Sequence, residues 1–157
     1  MTQPILFAME EGIHAPVTGS AVSLSSNRKG EIAETLFIAG AMVNDWEIFV
    51  PFGHAQTTDV CIVKPSKTPV KVQVKMASLV EAGGYQIHTK KSSTGDRKHM
   101  AYEPGDFDVL AAYLQDRNQF VFWAAEDIIH RQSVRYCPTR HRQPGNWVLL
   151  DQVATAI

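Results

Sequence analysis

A hairpin-like stretch in the first half of the chain limits the possible folds more than any other feature. Two runs rich in valine and isoleucine, Thr58–Val63 and Val70–Met76, flank a segment of Pro, Lys, Ser and Thr at Lys64–Pro69. Runs of β-branched residues bounded by turn-forming residues are typical of two strands joined in a hairpin. In the second run Val72 and Val74 alternate with polar residues, so these valines are expected to face a core. The stretch therefore predicts a sheet around which the rest of the chain is organised.

The same hairpin carries three polar side chains that can meet at one end of the sheet. Asp59 opens the first run, and Gln73 and Lys75 lie two residues apart in the second, on the face opposite the valines. Oxygen ligands with an adjacent ammonium group suit a hard cation and a phosphate. The three residues therefore form a candidate site. The alternative interpretation is an acid at a strand end and a lysine on a solvated face, without a joint role.

Residues 28–43 (RKGEIAETLFIAGAMV) have the pattern of a helix that precedes this hairpin. Apolar residues at i, i+4, i+7 and i+11 predict one buried stripe, formed by Ile32, Leu36, Ala39 and Val43. Ser26 or Asn27 is expected to cap its N-terminus.

Charged residues near the start of this helix extend the candidate site. Glu31 and Glu34 lie in its first turns, where the helix dipole favours acids, and three-residue spacing puts them on one face. Arg28 and Lys29 precede them, and a helix N-terminus with free backbone amides and two cations can meet a phosphate. A solvated pair of acids that only complements the dipole is the alternative.

The rest of the chain predicts a single α/β domain. The remaining predicted elements are strands at Trp46–Pro51, Tyr85–Thr89, Gln119–Ala124 and Ser133–Cys137, one or two helical turns at Ala125–Arg131, a polar loop at 90–105, and an apolar tail, Trp147–Leu150, that packs within the domain or against another subunit. Phe107–Leu114 fits a short helix or a strand; the strand is favoured because four residues then separate it from Gln119, as in a hairpin. Residues 1–26 are expected to be an arm or loop of unknown role, and 27–157 the domain.

Composition limits the class of protein and the compartment in which it is expected. A chain of 157 residues with 45% apolar and 20% charged residues is ordinary for one globular domain. Its longest apolar run is too short to span a bilayer, and no basic leader precedes PILFAM, so a cytoplasmic protein is expected. Cys61 and Cys137 are isolated, which favours two free thiols in a reducing compartment.

Positive charge is concentrated in the C-terminal two thirds. Residues 1–60 carry two basic and seven acidic side chains, and residues 61–157 carry thirteen basic and nine acidic ones. Two basic clusters, at 88–99 and 130–142, account for much of this asymmetry. Such clusters can follow a phosphate backbone, although solvated loops carry them just as often.

The order of these features resembles the PD-(D/E)XK nuclease superfamily, the restriction-endonuclease-like fold. In that family the chain begins with a helix that carries an acid, followed by three strands. The second strand starts with an Asp, and the third carries a (D/E)-x-K triplet. KGEIAE at 29–34 is similar to the helix start of archaeal Holliday-junction resolvases. QVK at 73–75, followed by FDVLAAYLQDRNQFVFWAAEDI, more closely resembles small intron-encoded homing endonucleases of the cyanobacterial type. The resemblance covers 29–129 and implies an α/β fold with a mixed central sheet flanked by helices.

The resemblance also implies roles for individual residues. Glu34 matches the helix acid, with Glu31 as the alternative, and Asp59, Gln73 and Lys75 match the motif. Glu34, Asp59 and Gln73 would bind Mg²⁺ or Mn²⁺. The sequence departs from the pattern in having Thr58 before the Asp in place of Pro, and in having the amide Gln73, which lowers the charge available to a metal.

The implied activity is that of a metal-dependent DNA endonuclease. A branched-DNA or Holliday-junction resolvase and a non-catalytic DNA-binding or assembly protein are the alternatives. The residues expected to contact DNA are Lys29, Lys90, Lys91, Arg97, Lys98, Arg131 and Arg135. One small chain carries one active site, so cutting both strands would require a homodimer or homotetramer.

Overall fold

The structure, a computed structural model, describes residues 24–53, 57–80, 83–91, 100–140 and 146–155. Its helices are α1 (Ser26–Val43), α2 (Ala125–Ile128) and α3 (Trp147–Val153), with a 3₁₀ turn at Gln115–Arg117. Its strands are β1 (Glu47–Phe49), β2 (Val60–Val63), β3 (Val70–Met76), β4 (Ser78–Val80), β5 (Gly84–His88), β6 (Lys90–Lys91), β7 (Met100–Ala101), β8 (Val109–Leu114), β9 (Gln119–Ala124) and β10 (Ser133–Tyr136).

The central sheet has five strands in the order β1-β2-β3-β8-β9. All neighbours are antiparallel except β3 and β8, which pair in parallel with Val72 opposite Val109. The predicted hairpin is confirmed, because Val60 lies opposite Val72. The mixed α/β sheet is confirmed as well. The described part of the chain between β3 and β8 forms four short strands. Of these, β4 and β5 belong to a three-stranded sheet, β10-β5-β4, and β6 and β7 form a two-stranded ribbon.

The helix α1 is confirmed, but its predicted buried stripe and cap are wrong. The side chains that it buries are Ala33, Phe37 and Ala41, one or two residues further along than the predicted stripe, and Val43 is 81% exposed. Because apolar residues surround most of this helix, periodicity alone does not select a face. The Phe37 ring selects it by stacking on Trp147, with centroids 5.5 Å apart. The N-cap is Ser25, whose hydroxyl accepts the Arg28 N–H.

The strand β8 of the central sheet is buried on both faces, which explains its ambiguous sequence. Val109, Ala111 and Tyr113 face α1, whereas Leu110, Ala112 and Leu114 face a second core formed with Tyr85, Ile87 and Ile128. A strand covered on both sides is a continuous apolar run without alternation. Such a run fits a buried helix or a buried strand equally well.

The C-terminal part of the chain packs within the domain. The tail predicted as an apolar segment forms α3, which packs on β9 with the Trp147 ring 5.1 Å from that of Phe122. The short strands β4, β6 and β7 were not predicted. In the ranges that the structure describes, no helix is long and apolar enough to cross a membrane.

Candidate active site

Asp59 lies at the start of β2, where the β2–β3 pairing fixes its position. Its backbone N–H donates to the carbonyl of Val72, 3.1 Å away. Its carboxylate Oδ2 accepts the backbone N–H of Val74 at 2.7 Å and the side-chain amide of Gln73. Both side-chain bonds end on Oδ2, so Oδ1 is the carboxylate oxygen that could take a further ligand. The pairing thus converts a residue next to a strand end into a rigidly held carboxylate.

Gln73 is one of the few buried polar side chains of the described residues, with 5% of its surface exposed. A buried amide is costly unless it is hydrogen-bonded, and here its Nε2 donates to Asp59. The amide oxygen remains as the atom that could bind a cation. The same residue can therefore both orient the carboxylate and offer an oxygen ligand.

Lys75 and Glu34 complete the group of polar side chains at this end of the sheet. Burial lowers the pKa of Lys75, and the negative charges of Asp59 and Glu34 oppose that effect. Burial raises the pKa of Glu34, and the Asp59 charge raises it further while Lys75 opposes the rise. The pKa of Asp59 is raised by burial, against the opposing hydrogen bonds and the Lys75 charge. The charge of Lys75 therefore acts on both carboxylates, and the charge of Asp59 acts on Glu34.

These four residues line one cleft of about 350 Å³. The N-terminal turns of α1 form its opposite wall with Ser26, Lys29 and Gly30. The structure thus brings together all four residues that the resemblance implied. It also separates the two helix acids, because Glu31 lies on the surface and pairs with Arg28 at 2.9 Å.

The donor set of this cleft is suited to a hard divalent cation. Burial raises the pKa values of both carboxylates, the charge of Asp59 raises that of Glu34 further, and a bound cation would stabilise both charged forms. Among the residues that the structure describes, no group of three His, Cys, Asp or Glu side chains is arranged to hold a metal. A cation here would therefore use two carboxylates, an amide oxygen and water, which Mg²⁺ tolerates because it retains several waters.

The predicted DNA-contacting residues occupy different environments. Lys29 lines the cleft. Arg131 is exposed just before β10, and Arg135 is exposed on β10. Lys90 is half-buried in β6, and Lys91 forms an ion pair with Asp106 at 2.6 Å, which offsets its charge. Arg97 and Lys98 lie outside the described residues.

A second cleft, of about 610 Å³, adjoins the first. The two clefts share Lys29, Met76 and Ser78. The second is also lined by Leu79, whose side chain is 62% exposed on the unpredicted strand β4. We refer to these two adjoining clefts together as the groove.

Sequence reasoning missed Tyr102, which is 6% exposed. Its ring centroid is 5.9 Å from the Lys75 ammonium and 5.8 Å from that of Lys91. Burial raises the pKa of its hydroxyl well above the usual range, and the charges of Asp59 and Asp106 raise it further. Tyr102 follows a polar segment with no strand or helix pattern, so no local signal connected it with Lys75.

Comparisons with known proteins give a family match and a similar fold. A family model described as PD-(D/E)XK endonuclease matches residues 24–148. A solved structure described as a bacterial homing endonuclease, I-Ssp6803I, superposes with a TM-score of 0.70 at 24% sequence identity, covering 82% of this chain and 95% of that one. No curated protein sequence matches the chain.

Proposed function

We propose that this chain, which belongs to the PD-(D/E)XK endonuclease family, hydrolyses DNA phosphodiester bonds with the aid of a divalent cation. The family match confirms the resemblance predicted from the sequence, and the similar solved structure confirms the fold. The observation that carries the proposal is the convergence of Asp59, Gln73, Lys75 and Glu34 in one cleft. DNA as the substrate is consistent with the homing endonuclease that shares this fold.

The cation is proposed to be Mg²⁺ or Mn²⁺. Proteins of this family generally use divalent metal ions, and the cleft offers oxygen ligands from Asp59, Glu34 and Gln73. Such a cation, when bound, neutralises phosphate charge and lowers the pKa of a coordinated water. The amide at position 73 contributes an oxygen without charge, so we expect weaker metal binding than a third carboxylate would give.

Each residue of the cleft then has a distinct task. Asp59 presents a fixed oxygen, because the Val74 N–H and the Gln73 amide hold its carboxylate. Lys75 orients the attacking water and offsets the negative charge that develops on the phosphate oxygens. Glu34 supplies the second carboxylate from α1.

The substrate backbone is proposed to follow the groove formed by the two adjoining clefts. Lys29 lines both clefts and can meet a phosphate next to the one that is cut, and the first turn of α1 lies beside it. A single chain holds one such cleft, so cleavage of both DNA strands would use two copies of the chain.

The test is cleavage of supercoiled plasmid and of a four-way junction with Mg²⁺ or Mn²⁺. Asp59→Asn keeps the size of the side chain but removes its charge, and Lys75→Met keeps its length without the ammonium. We expect each variant to cut at least about 100-fold more slowly and to bind DNA with little change. Asp127→Asn, which removes an exposed acid of α2, is the matched control and should cut like the wild type.

The products separate the alternatives. If the protein cuts plasmid to the linear form in preference to the junction, the result supports an endonuclease that acts on duplex DNA. If it cuts the junction selectively, the protein is a resolvase instead. Full activity in Asp59→Asn would contradict the site assignment. DNA binding without any metal-dependent cutting of plasmid, junction or mixed-sequence DNA would favour the non-catalytic alternative.

A further inference from the structure

Tyr102 approaches the cleft from a part of the chain to which the sequence assigned no role. It follows β7 directly, and its ring is almost fully buried. The ammonium group of Lys75 lies over this ring, 5.9 Å from its centroid. An aromatic face carries negative potential, so it attracts an ammonium group, and more strongly where water is excluded.

The ring itself is held by its neighbours. Phe107 packs against it edge to face, with centroids 5.0 Å apart. The Lys91 ammonium also lies over the ring and is fixed by its ion pair with Asp106. The Asp106 carboxylate accepts the Glu103 N–H at 2.7 Å as well. The segment from Tyr102 to Phe107 is thus a compact unit that presents the ring at a defined position.

The same segment also braces the start of β2. The carbonyl oxygen of Asp106 accepts hydrogen bonds from the hydroxyl groups of Thr58 at 2.7 Å and Thr57 at 3.3 Å. These two residues immediately precede Asp59. One short segment therefore contacts both the chain that delivers the carboxylate and the ammonium group of the lysine.

We propose that Tyr102 is a positioning residue of the nuclease site, whose ring face holds the Lys75 ammonium beside Asp59. The proposal rests on the proposed nuclease function. Lysine has a flexible four-carbon side chain, and burial removes much of the water that would otherwise solvate its charge. The ring limits where the ammonium can lie, so that it is in place when the phosphate arrives.

The first experiment measures single-turnover cleavage for Tyr102→Leu and Tyr102→Phe. The leucine variant lacks the aromatic face, and we expect its cleavage rate to fall about 10-fold with DNA affinity within about twofold of wild type. The phenylalanine variant keeps the face and should cut at close to the wild-type rate. Tyr102→Met fills the site without a ring and replaces the leucine variant if that one does not fold.

Tyr113→Leu is the matched control, because Tyr113 is equally buried, with 6% exposed, and faces the other core. It should lose stability to a similar extent and still cut at the wild-type rate. Wild-type cutting by a folded Tyr102→Leu would overturn the proposal. An equal loss in Tyr102→Phe would also overturn it, because the hydroxyl group would then be the functional part.

A second measurement does not depend on cleavage. The ε-methylene proton resonance of Lys75, assigned by its absence in Lys75→Met, should be shifted upfield by the ring in the wild type and in Tyr102→Phe. In Tyr102→Leu it should move toward the position of an unstructured lysine. An unchanged resonance would overturn the ring contact. If the wild type cuts no DNA, the proposed function fails while this measurement still decides the contact.

Discussion

At the scale of single residues, the cleft holds two carboxylates whose charged forms are destabilised. Glu34 and Asp59 both have raised pKa values, chiefly through burial, and the charge of Asp59 raises the pKa of Glu34 further. Folded-state pKa values above the unfolded ones mean that the native state binds protons more tightly. These groups therefore favour the fold at acidic pH, and this contribution is lost as the pH rises from the unfolded pKa values through the folded ones. Above that range the charged pair costs stability, as functional sites often do.

We accordingly predict that Glu34→Gln stabilises the metal-free protein at neutral pH. The melting temperature should rise by about 2–4 °C, equivalent to roughly 1 kcal/mol in a domain of this size. Glu34 is only half-buried, so solvent screens part of the repulsion and the gain stays modest. The same variant should lose most of the stabilisation that Mg²⁺ or Mn²⁺ gives the wild type.

Thermal unfolding with and without metal, at pH 4 and pH 7, checks this prediction. The difference between variant and wild type should shrink at pH 4, where protonation removes the repulsion. Glu31→Gln is the control, because Glu31 lies on the surface and pairs with Arg28. If the two variants behave alike, the charge of Glu34 does not destabilise the metal-free protein.

At the scale of elements, α1 connects the core with the cleft. Its buried face is formed by Phe37 between two alanines, and these small residues let the helix lie close to the sheet. Phe37 contacts Phe120 edge to face at 5.8 Å and stacks on Trp147. The position of Glu34 over the cleft follows from this packing, since it lies one turn before Phe37.

The packing predicts different costs for two apolar truncations on this helix. Phe37→Ala should destabilise the protein by about 3–5 kcal/mol, because it leaves a cavity beside the rings of Phe120 and Trp147. Val43→Ala, on the face that the periodicity had suggested, should change the free energy of unfolding by less than about 0.5 kcal/mol, because Val43 is 81% exposed. Urea unfolding monitored by tryptophan fluorescence measures both. A large loss in Val43→Ala would mean that another surface covers this end of the helix.

At the scale of the whole molecule, the groove and the surrounding charge are the features that support the proposed DNA binding. The groove is built from α1, β3, β4 and the turn after β8, which are distant in sequence. Basic side chains lie on several of these parts, and Arg131 and Arg135 add exposed charge at β10. Phosphate contacts of this kind set affinity but not sequence preference.

We predict that Arg131→Ala combined with Arg135→Ala weakens binding to all DNA sequences alike. Each lost phosphate contact should reduce the slope of log K against log salt by about 0.9, so the double variant should lose up to about 2 units of slope. Lys64→Ala is the control, because its ammonium is paired with Asp151 at 2.8 Å. Fluorescence anisotropy over a range of salt concentrations measures both. An unchanged slope in the double variant would show that this cluster does not contact DNA.

Local regularities account for what could be predicted from the sequence. Alternation with a period of two placed Gln73 and Lys75 on the same face of β3, and the turn residues placed Asp59 beside them. Both patterns depend only on residues that are close in the chain, so the hairpin and the resemblance to the family followed from them. The strand β8 was the difficult case, because burial on both faces removes the alternation that identifies a strand.

By itself, the sequence determined the β2–β3 hairpin, the helix α1 and the four polar residues predicted for the site. The tertiary structure decided which face α1 buries, because Phe37 finds Trp147 only in the folded chain. It decided that Glu34 and not Glu31 meets Asp59, and that Lys91 is paired with Asp106. It also brought Tyr102 to Lys75. Contacts between residues far apart in the chain leave no periodic trace in the sequence, and the packing of the whole domain sets them.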